Sequence, residues 1–147
     1  MSDERVNLVT LTLERGYEFR IRFDSLGESP DLLSDEPPPL GGGKGPNPSA
    51  MLAAAVGNCL AASLAHCLRR SRVEVNELQA VVQARVARNP AGRLRVVGID
   101  VEVKPELAGA DLDRLERCKA LFEDFCVVSS AVRQGVPIAV TVSPVVR

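Results

Sequence analysis

The sequence has no tryptophan, a single histidine (His66) and few aromatics, 3% of 147 residues. Proteins that bind nucleic acid stack bases on aromatic side chains and neutralise phosphates with surplus basic ones. Here 18 Lys+Arg stand against 19 Asp+Glu, for a formal charge of −1, so no nucleic-acid partner is expected. One histidine and no Cys-x-x-Cys pair leave little from which to build a zinc site. Neither a metal nor a cofactor is expected. An apolar leader is also missing, since Met1-Ser2-Asp3-Glu4-Arg5 is polar and no hydrophobic run follows it. That predicts a cytoplasmic protein, in which thiols stay mostly reduced and any disulfide is transient rather than persistent.

What is present is the ordinary composition of a globular chain, 46% hydrophobic and 25% charged. The length suits a single domain, residues 1–147. Ser49 to Leu68 is almost uncharged and about long enough to span a bilayer. It is rich in alanine, however, and carries Asn58, Ser63 and His66. A helix apolar on most sides with small residues is read as the centre of a soluble core or oligomer, not as a membrane span.

The remaining pattern alternates like sheet. Val6 to Glu14 and Tyr17 to Asp24 read as a hairpin about Arg15-Gly16, with Tyr17, Phe19, Ile21 and Phe23 on one face. Leu32-Leu33 suits a short edge strand. Asp35 to Asn47, DEPPPLGGGKGPN, is a loop, either a connector or part of a site. Asn47-Pro48 starts a helix that runs to about Arg70, with asparagine as N-cap and proline at its first position. Glu77 to Arg88 and Arg93 to Lys104 form a long hairpin about Asn89-Pro90-Ala91-Gly92, ended by Pro105. Asp111 caps a second helix to about Asp124. Val127 to Gln134 is a short helix stopped by Gly135, and Val136 to Ser143 a last strand. Hairpins dominate and the helices are few, which predicts an α+β fold with mostly antiparallel sheet.

Four cysteines carry the chemistry on offer: Cys59, Cys67, Cys118 and Cys126. Cys59 and Cys67 lie eight residues apart on one predicted helix, so their Cα atoms are ~12 Å apart. A disulfide tolerates at most ~7 Å. Cys118 and Cys126 share that spacing. Useful pairs must therefore cross between the two regions, Cys59 with Cys126 or Cys59 with Cys118, each with its complement. Cys118 falls on an apolar helical stripe and reads as core filler, as does Cys67. Cys126 precedes a short helix, whose N-terminus favours the thiolate. Cys59 follows Gly57-Asn58, where a small residue admits a close neighbour. His66, two turns beyond Cys59 on the same face, reads as a core histidine.

The run Gly45-Pro46-Asn47-Pro48-Ser49-Ala50-Met51-Leu52-Ala53-Ala54-Ala55-Val56-Gly57-Asn58-Cys59 resembles the central-helix motif of the OsmC/Ohr superfamily. Phe125-Cys126-Val127-Val128-Ser129-Ser130 resembles its second cysteine motif. The resemblance covers nearly the whole chain. It implies an OsmC-like fold, antiparallel sheets around a long central helix, in an intertwined homodimer with active sites at the dimer interface. It implies that Cys59 is peroxidatic, attacking an organic hydroperoxide, and Cys126 resolving, with an external thiol reductant to reset the pair. It also implies an arginine of the N-terminal hairpin beside the thiolate, with Arg15 the first candidate and Arg20 and Arg22 the alternatives.

One departure motivates a second reading. Peroxidase members carry a glutamate shortly after the helix-starting proline, where this chain has Ser49 and Ala50. Glu36 or Asp35 is a candidate substitute. The two readings are a thiol-dependent hydroperoxide reductase in oxidative-stress defence, and a non-catalytic OsmC-like dimeric binding or stress module whose cysteines mainly pack.

Overall fold

The computed structural model describes residues 3–146; Met1, Ser2 and Arg147, the first two belonging to the polar N-terminal stretch, lie outside the described residues. Its contacts divide the chain into two compact units: residues up to Ala53 with Ala84–Gly98, and Ala54–Gln83 with Ile99 onward. A long helix and a long hairpin run through both.

The first unit holds a three-stranded antiparallel sheet, β1 (Val9–Arg15), β2 (Glu18–Phe23) and β3 (Leu32–Ser34), in that order. Alternation sets the register: Leu11 opposes Ile21, Leu13 opposes Phe19, and Ile21 opposes Leu32. Ile21 is the buried anchor of this sheet. Successive side chains of a strand face opposite ways, so the charged Arg20 and Arg22 are turned outward.

The loop after β3 is organised by one carboxylate. Asp35 is buried and accepts backbone N–H groups from Glu36 (2.7 Å), Gly42 (3.1 Å) and Lys44 (3.1 Å). These bonds hold its carboxyl below the usual aspartate range; the largest comes from Lys44, and burial opposes it. At Gly45 the backbone packs so tightly on β3 that a Cβ would fall 2.1 Å from the Leu33 carbonyl oxygen. The segment is therefore an ordered structure around Asp35, and that carboxylate is committed to it.

Helix α1 (Pro48–Arg70) starts as expected, with Asn47 Oδ1 accepting the Ala50 N–H at 2.9 Å. It is long and apolar enough to cross a membrane by length and composition, a test that core helices of soluble proteins also pass. Val56, Leu60, Leu64 and Leu68 form a buried stripe at helical spacing. In the second unit Leu64, Leu68, Val73 and Cys118 make the core, with Val75, Val103, Leu107, Leu115 and Phe122 packed on it.

Strands β4 (Val75–Arg88) and β5 (Leu94–Leu107) form the hairpin, closed by Asn89, whose side-chain oxygen accepts the Ala91 and Arg93 N–H groups at 3.0 Å. β5 does not stop at Pro105 but continues to Leu107. In a two-stranded ribbon every strand is an edge, where a missing N–H is tolerated. Helix α2 (Leu112–Leu121) then ends early, tightening into a 3₁₀ turn over Phe122–Phe125. Asp111 occupies the N-cap position without capping, because its carboxylate takes Arg114 at 3.2 Å. Helix α3 (Val127–Gln134) follows.

The expected last strand is absent among the described residues. Val136 to Ser143 has the alternation of a strand but no ladder partner. Val136, Ile138, Val140 and Val142 are 57–87% exposed. Periodicity sets which side chains share a face; a strand also needs a neighbour for its N–H and C=O groups.

Candidate active site

Cys59 and Cys126 come together. Cys59 lies mid-way along α1 and is half-buried; Cys126 is the N-cap residue of α3 and is 1% exposed. The two free thiols are neighbours, each acting on the other's ionisation. The α3 terminus supplies further donors. Cys126 Sγ accepts the Ser129 N–H at 3.4 Å, and the Val127 and Val128 N–H groups reach Cys59. A helix N-terminus presents such unpaired N–H groups and partial positive charge, which favour a thiolate.

The two sulfurs respond in opposite directions. Burial, then the neighbouring Cys126, push the Cys59 thiol up; the Val128 and Val127 N–H groups partly offset this. Burial also pushes Cys126 up, but Cys59, Ser129 and the Val128 N–H outweigh it and hold Cys126 below the ordinary thiol range. The ionisation of each thiol therefore depends on that of the other. Ser129 is 4% exposed, and its hydroxyl faces Cys126 without an aligned hydrogen bond to any group.

Cys59 opens onto a cavity of about 760 Å³. Ala62, Leu121, Phe125 and Val127 give it an apolar wall, and His66 and Arg70 a polar end. His66 thus faces an accessible cavity and is not a core histidine. The opposite side of α1 meets β4, where Gly57 brings the helix so close that a Cβ would lie 2.3 Å from Val82 Cγ2.

Cys67 and Cys118 overturn the filler reading. They are joined in a disulfide between α1 and α2, with Cα atoms 5.8 Å apart. Of the two cross-pairings that helix geometry allows, the structure bonds Cys67 with Cys118 and leaves Cys59 and Cys126 as neighbouring free thiols. The apolar stripe places Cys118 in the core correctly, but a half-cystine and a free cysteine leave the same trace in such a stripe.

The three candidate arginines lie on the hairpin of the first unit. Arg15 pairs with Glu18 at 2.9 Å, and Lys44 approaches the same carboxylate at 3.5 Å. Arg20 is held by Glu14 and lies 3.9 Å from Asp31; Arg22 is exposed on β2. Asp35 is spent on its own loop, so the carboxylate partner of Arg15 is Glu18. Sequence reading missed Glu18, although an arginine and a glutamate flanking a tight turn signal such a pair. Among the described residues no group of three His, Cys, Asp or Glu side chains is placed to hold a metal ion.

Comparison with known proteins agrees with this architecture. A family model described as OsmC-like protein matches residues 41–141. An OsmC-like protein of unknown function from Vibrio cholerae superposes with a TM-score of 0.74 at 16% identity, covering 87% of this chain and 94% of that one. An OsmC-like protein from Mycoplasma pneumoniae gives 0.73 at 16%, covering 90% and 89%. The organic hydroperoxide resistance protein OhrB of Bacillus subtilis gives 0.60 at 20%, covering 88% and 91%. A search of curated protein sequences finds no match.

Proposed function

Because this chain belongs to the OsmC-like protein family, with that family's α+β fold, we propose that it is a thiol-dependent organic hydroperoxide reductase using Cys59 and Cys126. The observation that carries the reading is the pair of neighbouring free thiols itself, one sulfur on a cavity wall and the other buried at a helix N-terminus. A hydroperoxide resistance protein among the similar folds is consistent with it.

The chemistry follows from access. The cavity admits a substrate to Cys59 and not to the buried Cys126, so Cys59, as its thiolate, is the nucleophile. Cys59 Sγ attacks the distal oxygen of the hydroperoxide, the O–O bond breaks, and the alkoxide leaves as an alcohol after taking a proton. Cys59 is then a sulfenic acid. Cys126 Sγ, its neighbour, attacks it, water leaves, and a Cys59–Cys126 disulfide forms. An external thiol reductant restores both thiols. Arg15 is the proposed thiolate-stabilising cation, with Glu18 orienting it.

We place this chemistry in a soluble homodimer. Val9, Leu11 and Leu13 form an exposed apolar row on β1, and the Val136–Ser143 segment is an exposed alternating row without a partner strand. A second copy supplies a partner for both. The alternative, a module with packing cysteines, draws on the absence of an acidic residue in the first turn of α1. It expects two ordinary thiols, whereas these two are displaced in opposite directions. The test is steady-state turnover of cumene hydroperoxide with a dithiol reductant. The wild-type chain is expected to turn over and Cys59→Ser to lose at least a hundredfold. Wild-type rates no faster than free cysteine refute the reading.

A further inference from the structure

The two cysteine pairs are built alike. Each joins a half-buried sulfur of α1 to a sulfur 1% exposed in the stretch from α2 to the cap of α3. Within each region the two positions lie eight residues apart, Cys59 to Cys67 and Cys118 to Cys126. Both α1 sulfurs line the same cavity, and Leu121 and Phe125, which complete its wall, belong to the segment between the two buried partners. One pair stands in the dithiol state and the other in the disulfide state.

We propose that Cys67–Cys118 is a second dithiol–disulfide couple, served through the same cavity as Cys59. A dithiol entering the cavity meets Cys67 and not Cys118. Its thiolate attacks Cys67 Sγ, a mixed disulfide forms, and Cys118 leaves as a thiolate. Ser71 Oγ, 3.7 Å from Cys118 Sγ, lies within hydrogen-bonding reach of that leaving sulfur, which then takes up a proton. Arg70, on the cavity wall beside Cys67, is a permanent cation near the attacking thiolate. The second thiol of the reductant attacks the mixed disulfide and frees Cys67, leaving an oxidised dithiol and two protein thiols. In the other direction an organic hydroperoxide oxidises Cys67 to the sulfenic acid, releasing an alcohol. Cys118 then displaces water and re-forms the bond. The couple is independent of whether Cys59 reacts with peroxide.

The test uses the full chain under native conditions with dithiothreitol, acid quenching, alkylation and mass mapping of the Cys67 and Cys118 peptides. Reduction through the cavity is expected to speed up about tenfold for tenfold more dithiothreitol and to be unchanged by sub-denaturing urea. A disulfide that resists reduction in the native protein, or opens only as urea is raised, overturns the proposal. In Cys59→Ser protein, with Cys59→Ala as a second background, one equivalent of cumene hydroperoxide is expected to restore the Cys67–Cys118 bond. Failure to restore it in a folded background overturns the couple. Peroxide turnover as fast in Cys59→Ser protein as in the wild-type chain, with this bond still cycling, overturns the Cys59–Cys126 reading alone.

Discussion

Replacing Gly57 by alanine sets two effects of known sign against each other. In a helix interior the change gains about 1 kcal/mol of backbone propensity. Against it stands the 2.3 Å separation that the new Cβ would have from Val82 Cγ2. Carbon atoms pack at about 3.5–4.0 Å, so more than an ångström must be found between α1 and β4. Val82 is β-branched and stiff, which rules out a cheap rotation. Overpacking of this kind costs about 1–3 kcal/mol, and the severity of the overlap puts it at the upper end. The net loss is about 2 kcal/mol, or about 4–8 °C in Tm for a chain of this size. Val82→Ala alone costs about 1 kcal/mol for partly buried methyl groups. The double variant has no overlap and regains wild-type stability, a coupling of about 3 kcal/mol. Residues two apart on a helix point about 200° apart, so Gly57 faces β4 while Cys59 faces the cavity. Moving α1 off β4 therefore also shifts Cys59 against Cys126, and slower peroxide-driven disulfide formation accompanies the lost stability. Urea unfolding of the four proteins checks the ledger. Gly57→Ala as stable as wild type, or no rescue by Val82→Ala, refutes the reasoning.

Three further outcomes are expected. Cys126→Ser removes a neighbour that raises the Cys59 thiol, so Cys59 ionises at lower pH than in the wild type; the pH profile of its alkylation by iodoacetamide, read by mass spectrometry, moves to lower pH, and an unmoved profile contradicts the linkage of the two thiols. Asp35→Asn destabilises the glycine-rich loop at neutral pH. Because the fold lowers the Asp35 pKa, its contribution is complete above the ordinary aspartate value of about 4 and is lost as pH falls through the lowered one, so the wild-type and variant unfolding curves converge in acid; a gap that widens below pH about 4 is the wrong sign. Ile138→Asp puts a charge on the unpaired C-terminal row and shifts the proposed dimer to monomer in sedimentation velocity, without effect if that row faces only solvent.

Local chemistry was readable in the sequence wherever a residue acts on its own neighbours. Asn47-Pro48 started α1, Gly135 ended α3, and Cys126 stood before a helix whose Ser129 N–H reaches its sulfur. What the sequence did not show depends on a second segment. Pro105 reads as a strand end until β5 is known to be an edge. Val136–Ser143 reads as a strand because alternation carries no information about the neighbour it needs. Helix spacing excluded the within-segment sulfur pairs, yet only tertiary packing distinguishes a bonded Cys67–Cys118 from two core thiols. Likewise Glu18, not the loop acids Asp35 and Glu36, is the partner of Arg15, because Asp35 was already committed to three backbone donors.

The central claim is that Cys59 and Cys126 act as one two-electron couple toward an organic hydroperoxide. It is tested most directly by adding one equivalent of cumene hydroperoxide to protein in which Cys59 and Cys126 are thiols and the Cys67–Cys118 bond is intact, quenching with acid and mapping the peptides. The account predicts a Cys59–Cys126 disulfide formed within the chain, with loss of two hydrogens and release of one equivalent of cumyl alcohol. Cys59 recovered as an unreacted thiol, with the hydroperoxide intact, would contradict it.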